Sequence, residues 1–106
     1  MKAPILTLFF CAAALAALPA AAYETLEQDF AICTQGQGSN DEIVQACTRL
    51  IDNAATENEM VGYFYGLRAS SNDDRASNCR DAHKVLELVD KPAMIDAANS
   101  LIEMNC

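Results

Sequence analysis

The sequence predicts an all-α fold of about five short antiparallel helices that form helical hairpins braced by two disulfides. Three observations predict it. From Leu26 onward, apolar residues recur three or four positions apart, which is the spacing of one helix face. No stretch of useful length alternates apolar and polar residues as a strand would. Short turn-like segments separate the helical ones, so that successive helices become antiparallel neighbours.

The first helix is predicted over residues 23–34. Leu26, Phe30 and Cys33 fall at i, i+4 and i+7, on one helix face. Two glycines among small polar residues over 35–40 then end the helix.

The second and third helices each begin with a capping-box pattern, a Ser or Thr followed three residues later by Glu. Ser39 with Glu42 opens the second helix, and Thr56 with Glu59 opens the third, which the polar segment 70–74 ends. The apolar stripe of the second helix comprises Ile43, Ala46, Cys47, Leu50, Ile51 and Ala54. That of the third comprises Met60, Phe64 and Leu67, widened by Tyr63 and Tyr65.

The fourth helix is predicted over residues 74–89, and the fifth begins at Pro92, a residue well suited to the first position of a helix. The stripe of the fourth helix comprises Cys79, Ala82, Val85, Leu86 and Val89. That of the fifth comprises Met94, Ile95, Ala98, Leu101 and Ile102. Cys106 follows the fifth helix.

The first residues have the pattern of a secretory signal peptide. Lys2 precedes an apolar run over residues 5–18, and an A-x-A site ends at Ala22. We expect cleavage there, which removes residues 1–22 and Cys11 with them. A retained membrane anchor is disfavoured, because the tail of the run is rich in alanine and acidic residues follow it. A single small domain over residues 23–106, in the periplasm or secreted, is the prediction.

The mature chain is strongly acidic. Of the 7 basic residues only Lys2 lies in the predicted signal peptide, so six remain against all 15 acidic residues, a formal charge of −9. Nucleic acids and anionic membrane surfaces are bound through Lys/Arg clusters, which this chain lacks. We therefore expect a protein or peptide partner, with a basic one favoured, and no nucleic acid and no stable membrane anchor after cleavage.

The cysteines of the mature chain predict two disulfides, since an even number in an exported protein is typical of a disulfide framework. The pattern alone allows three connectivities, and the order of the helices favours Cys33 with Cys47 and Cys79 with Cys106, which staple neighbouring helices. The four residues are Cys33, Cys47, Cys79 and Cys106.

A metal or redox centre is the competing interpretation. Cys79 and His83 are four residues apart and share a helix face, and methionines are soft ligands for copper. However, the sequence has no C-x-x-C and no second histidine. We therefore predict structural disulfides, no metal and no cofactor, and a surface position for His83. The methionines in question are Met60, Met94 and Met104.

The segment from Glu59 to Pro92 resembles one tetratricopeptide repeat. Gly66 occupies the small position inside its first helix, and HKVLELVDKP is similar to the end of the second. Cys33, the polar loop and DEIVQACTRLID resemble the N-terminal cap of exported bacterial proteins of this repeat class. The chain departs from the pattern at Asn78, where a small residue is preferred, and at Asp90, where proline is usual.

The resemblance implies a concave helical surface that binds a protein or peptide, with no catalysis. The first helix of each repeat lines that surface, which makes Tyr63, Tyr65 and Arg68 the candidate binding residues. The alternative is that the tyrosines are core or ordinary surface residues.

No catalytic motif supports an enzyme. There is no G-x-S-x-G elbow, and the lone histidine has no triad context. Asp73, Asp74 and Asp81 are interpreted as charges near a helix N-terminus, where the macrodipole stabilises them, in preference to an acid/base pair.

Two functions of different class fit these observations. One is a non-catalytic adaptor or scaffold with a tetratricopeptide-like groove. The other is an inhibitor or immunity protein that blocks a basic exported enzyme, since small size, acidity and disulfide bracing suit that task and charge complementarity speeds such binding.

Overall fold

The computed structural model describes residues 25–106, all of it helices and connecting loops without a strand. Helix α1 is described over residues 25–35, and the other four are α2 (Asn40–Asp52), α3 (Glu59–Ser71), α4 (Arg75–Leu88) and α5 (Pro92–Asn105). The predicted all-α class is confirmed. The predicted signal peptide, with Cys11, and the predicted start of the first helix at Tyr23 lie outside the described residues.

Each helix packs against the next one in the chain. The pairs α2/α3, α3/α4 and α4/α5 form extensive contacts, and a lighter contact joins α3 to α5. Phe30 of α1 meets Phe64 of α3 edge to face, with 6.1 Å between the ring centroids. This pattern brings α1, α3 and α5 to one side of the molecule, with α2 and α4 behind them.

Side-chain caps fix three of the helix starts. Ser39 and Glu42 form the predicted capping box, each accepting a backbone N–H of the other at 3.2 Å. The hydrogen bond from the Ser39 backbone N–H lowers the pKa of the Glu42 carboxyl, and the Ser39 side chain lowers it further. The Thr56 capping box was a wrong prediction, because Asn58 lies directly before α3 and its side chain accepts the Val61 N–H.

The turn between α1 and α2 needs its two glycines. Gly36 has φ of 66° and Gly38 has φ of 121°, values that residues with a Cβ rarely adopt. The tight turn folds α2 back along α1. It thereby brings Cys33 within a Cα–Cα distance of 5.0 Å of Cys47.

Both predicted disulfides form. Cys33–Cys47 joins α1 to α2, and Cys79–Cys106 joins α4 to the residue after α5, with 5.3 Å between the latter Cα atoms. Disulfides of this kind persist in an oxidising compartment, outside the cytosol. Among the described residues, no helix is long and apolar enough to cross a membrane.

The core follows the predicted stripes with several exceptions. Four apolar residues of the stripes are exposed, namely Phe30, Met60, Tyr63 and Leu86. Three polar residues are buried instead, namely Asp29 of α1 and Asn78 and Asp81 of α4. Helix α3 contacts α2, α4 and α5, so it buries residues on more than one side, and no single stripe describes it. The buried apolar residues are Cys33, Ile43, Ala46, Cys47, Val61, Phe64, Ala69, Ala82, Val85, Val89, Ala98 and Leu101.

A close approach of α3 to the end of α4 depends on Gly62. A Cβ added there would lie 2.6 Å from Val89 Cγ2 and 3.0 Å from Leu88 Cβ, whereas one added at Gly66 would lie 3.3 Å from Val85 Cγ2. We expect Gly62→Ala to lower the free energy of unfolding by about 1–2 kcal/mol, because overpacking outweighs the gain in helix propensity of about 1 kcal/mol.

Gly66→Ala is the matched control, since the same propensity gain meets only a tight contact that a small shift relieves. It is expected to change the free energy of unfolding by less than about 0.5 kcal/mol or to raise it. Urea unfolding followed by circular dichroism measures both. Equal losses for the two variants would contradict the close approach at Gly62.

Candidate functional site

An open groove crosses the side of the molecule formed by α1, α3 and α5. Its volume is about 520 Å³. Three of its apolar side chains are exposed to solvent, namely Phe30 at 43%, Met60 at 50% and Tyr63 at 37%. The lining residues are Phe30, Thr34, Glu59, Met60, Tyr63, Lys91 and Met94.

The geometry of α3 explains the position of these side chains. Met60 and Tyr63 are three residues apart, which places them one above the other on a helix surface. Phe64, the residue after Tyr63 and one turn after Met60, is buried in the core and holds Phe30 through the edge-to-face contact. The core thus fixes one edge of Phe30 while its other side remains open to the groove.

An ion pair closes one end of the groove. Lys91 Nζ lies 2.7 Å from Glu59 Oε1, and donating to that carboxylate raises the pKa of Lys91. Both side chains are exposed. The pair therefore marks a polar rim that links the start of α3 to the start of α5.

A second, smaller groove of about 210 Å³ continues along the α3/α5 contact. It shares Tyr63 and Met94 with the first groove, so the two are contiguous. Small residues keep it open where α3 and α5 approach each other, and they are Gly66, Ser70, Ala93, Ala97 and Ala98.

Of the three predicted binding residues, Tyr63 lies on a different side of α3 from Tyr65 and Arg68. Tyr63 lines both grooves. Tyr65 packs against the core between α3, α4 and α5, and the Arg68 guanidinium lies over its ring at 5.3 Å from the centroid. A role of any of the three in binding stays a prediction, and the location in the groove favours Tyr63.

Arg68 is the centre of a partly buried network behind the groove. It donates two hydrogen bonds of 2.8 Å to the carboxylate of Asp81 on α4 and one of 3.2 Å to the Thr48 hydroxyl on α2. The bonds to Asp81 raise the pKa of Arg68. The Tyr65 ring, which Arg68 covers, is also approached by Lys84, whose Nζ lies 6.0 Å from the ring centroid.

A second buried acid is held in the same way. Asp29 of α1 is 2% exposed and accepts two hydrogen bonds, of 2.9 and 2.8 Å, from the Arg49 guanidinium on α2. Donating to Asp29 raises the pKa of Arg49. Both buried carboxylates therefore join neighbouring helices.

Of the three aspartates interpreted as charges near a helix N-terminus, Asp73 and Asp74 lie in the loop before α4, where Asp73 is exposed, and Asp81 lies inside that helix. Asp74 is the N-cap of α4, and its side chain accepts the Ser77 N–H, as expected for such a charge. The prediction was wrong for Asp81, which lies inside α4 and is buried against Arg68.

One group of side chains has the composition of a metal site. One ligand atom from each of Cys79, His83 and Cys106 lies within 4.8 Å of the others. The two sulfurs are joined in the disulfide, and His83 is exposed, as predicted.

No protein-family model, curated protein or solved structure matches this chain.

Proposed function

We propose that this protein is an exported, non-catalytic helical interaction module of the periplasm or the secreted fraction. Its tetratricopeptide-like groove, formed by α1, α3 and α5, binds an apolar segment of a partner protein. The observation that carries the proposal is the cluster of exposed Phe30, Met60 and Tyr63 around one groove. The two disulfides support export, since they persist in oxidising compartments.

Burial of the groove side chains would provide the binding energy. Burying a large apolar side chain completely is worth about 1.5–3 kcal/mol. The side chains of Phe30, Met60 and Tyr63 are already partly buried. Each can therefore contribute roughly half of this burial free energy when a partner covers it. The groove volume lies within the range of roughly 300–1,000 Å³ that is usual for ligand sites.

The order of helices supports the resemblance to tetratricopeptide repeats. In that family the first helix of each pair lines the concave surface, and here α1, α3 and α5 alternate with α2 and α4 in the same manner. Met60 and Tyr63 of α3 line the groove on the side of the molecule formed by α1, α3 and α5. The shape suits an amphipathic or extended segment whose apolar residues enter the groove.

The alternative is an inhibitor or immunity protein for a basic exported enzyme. The excess of 15 acidic over six basic side chains in residues 23–106 favours it, because complementary charge speeds association. In this case affinity depends on the acidic surface as a whole more than on the apolar groove.

Paired variants of equal exposure test the groove. Tyr63→Ala changes a groove residue that is 37% exposed, and Leu86→Ala changes a residue on α4 that is 36% exposed and lies outside the grooves. We expect Tyr63→Ala to weaken binding about tenfold, because a buried aromatic anchor contributes about 1.4 kcal/mol or more. Leu86→Ala should leave the affinity unchanged.

A second pair repeats the comparison with one residue type. Met60→Ala lies in the groove and Met104→Ala outside it, at 50% and 62% exposure.

The partner is first captured from an envelope extract of the cells that produce the protein, and its affinity for each variant is then measured by calorimetry. Equal effects of both members in each pair would refute the groove proposal. Strong loss of affinity at high salt, together with indifference to the groove variants, would support the inhibitor function instead.

A further inference from the structure

The two disulfides differ in their access to solvent. Cys33 and Cys47 are 1% and 0% exposed and belong to the core cluster with Phe64. Cys79 is partly exposed and Cys106 is exposed. A thiol must reach a sulfur atom to attack a disulfide, so a reductant reaches the Cys79–Cys106 bridge first.

His83 and Arg75 accompany the accessible bridge. His83 lies one turn after Cys79 on α4, and its imidazole is a nitrogen donor for metals. Arg75 donates a hydrogen bond of 2.9 Å to the carbonyl oxygen of Met104, two residues before Cys106. The thiolate is both the leaving group in disulfide reduction and the form of cysteine that binds metals.

The geometry points to a redox-gated site for a thiophilic divalent cation such as Zn²⁺, formed by Cys79, His83 and Cys106 once a dithiol has reduced their disulfide. In that step the bond between the two sulfurs breaks, two electrons and two protons pass from the dithiol to the protein, and the dithiol becomes a disulfide. Binding of the cation then releases two protons from the new thiols.

The three ligand atoms are close enough for one ion. They lie within 4.8 Å of one another, whereas ligands around a tetrahedral zinc are roughly 3.5–3.8 Å apart, given Zn–S and Zn–N bonds of about 2.3 and 2.0 Å. Once reduction has released the two sulfurs from each other, rotation of the three side chains moves each ligand atom by about an ångström, which covers the difference. Two thiolates and an imidazole suit zinc, and three protein ligands leave its fourth position open.

Contacts other than the bridge also hold the end of α5 against α4. Arg75 holds the Met104 carbonyl, and Asn78 Nδ2 donates to Asn105 Oδ1 at 3.3 Å, so two further contacts tie the end of α5 to α4. Ala98 and Leu101 are buried in the core. Reduction therefore frees the sulfurs while Cys106 stays beside His83.

The test uses the native oxidised protein, a phosphine reductant and zinc as the probe. The phosphine is oxidised to its oxide, which takes its oxygen from water. Excess phosphine is then removed in the absence of air, so that the thiols are not oxidised again. Alkylation and peptide mapping identify the bridge that opens, and competition with a chromophoric chelator measures zinc binding. We expect Cys79–Cys106 to open first and the reduced protein to bind one equivalent, while the oxidised protein binds none.

His83→Ala should weaken zinc binding at least tenfold, because loss of a direct ligand costs no less than loss of outer-shell groups, which is roughly 10–100-fold. Glu87→Ala, an exposed change one turn further along α4, is the control and should bind as the unchanged protein does. The proposal is overturned if Cys33–Cys47 opens first, if the reduced protein keeps its helicity but binds no zinc, if zinc fails to restore lost helicity, or if His83→Ala binds as tightly as the control.

Discussion

Replacing Cys33 and Cys47 together with alanine is expected to lower the free energy of unfolding by about 5 kcal/mol. Cross-linking residues 14 apart contributes about 3 kcal/mol through the unfolded chain. Both sulfurs also lie in the core beside Ile43 and Phe64, and loss of each costs about 1 kcal/mol, as for a buried methylene. A domain of this length has about 4–12 kcal/mol in total, so the variant should be largely unfolded or close to it.

The double replacement Cys79→Ala with Cys106→Ala provides the comparison. Its separation of 27 gives a slightly larger entropic contribution, about 3.5 kcal/mol, but its sulfurs are partly or fully exposed and add little packing. We expect the buried bridge to matter more despite its shorter loop. Thermal and urea unfolding of both variants measure the difference. If the second variant proves the less stable, loop length and not burial governs the contribution of these disulfides.

The elements of this fold could be predicted because their signals are local. A helix needs apolar residues at one spacing and breakers between runs, and both are visible at the Gly36–Gly38 turn and at Pro92. The disulfide pairing followed from the order of helices, since a bridge between neighbours needs only a short connection. Neither inference depends on how distant residues pack.

The exceptions in the core could not be predicted because they depend on tertiary contacts. Asp81 has the composition of a surface residue, and only the approach of Arg68 from α3 makes its burial possible. Met60 has the composition of a core residue, and only the spacing between α1, α3 and α5 leaves it open to a groove. A sequence shows which residues are apolar, but it does not show whether a third helix packs over them.

Only part of the candidate site could be predicted, because the positions of its side chains also depend on tertiary contacts. The repeat resemblance points to one face of α3, and Tyr63 lies there beside Met60. Arg68 is five residues further on, on a side that faces α2 and α4, where it contacts Thr48 and Asp81. Helix α3 therefore has an open side toward the groove and an ion-paired side toward the other helices.

Asp81→Asn is expected to lower the free energy of unfolding by about 3 kcal/mol. The change keeps the size of the side chain but removes its charge, so the Arg68 guanidinium, whose side chain is 18% exposed, loses its counter-ion. Breaking a buried pair on one side costs about 3–5 kcal/mol, and the residual exposure of Arg68 places this case at the lower end. Urea unfolding followed by circular dichroism measures the loss.

The double variant Arg68→Met with Asp81→Leu separates the two contributions to that loss. If the cost of Asp81→Asn arises from an uncompensated charge, apolar replacement of both partners should recover most of the stability. Lys91→Met, which breaks the exposed pair with Glu59, should change stability little, because water already solvates both groups. A double variant as unstable as Asp81→Asn would instead mean that the hydrogen bonds from Arg68 to Asp81 and Thr48 hold α2, α3 and α4 in register, and that apolar packing cannot substitute for them.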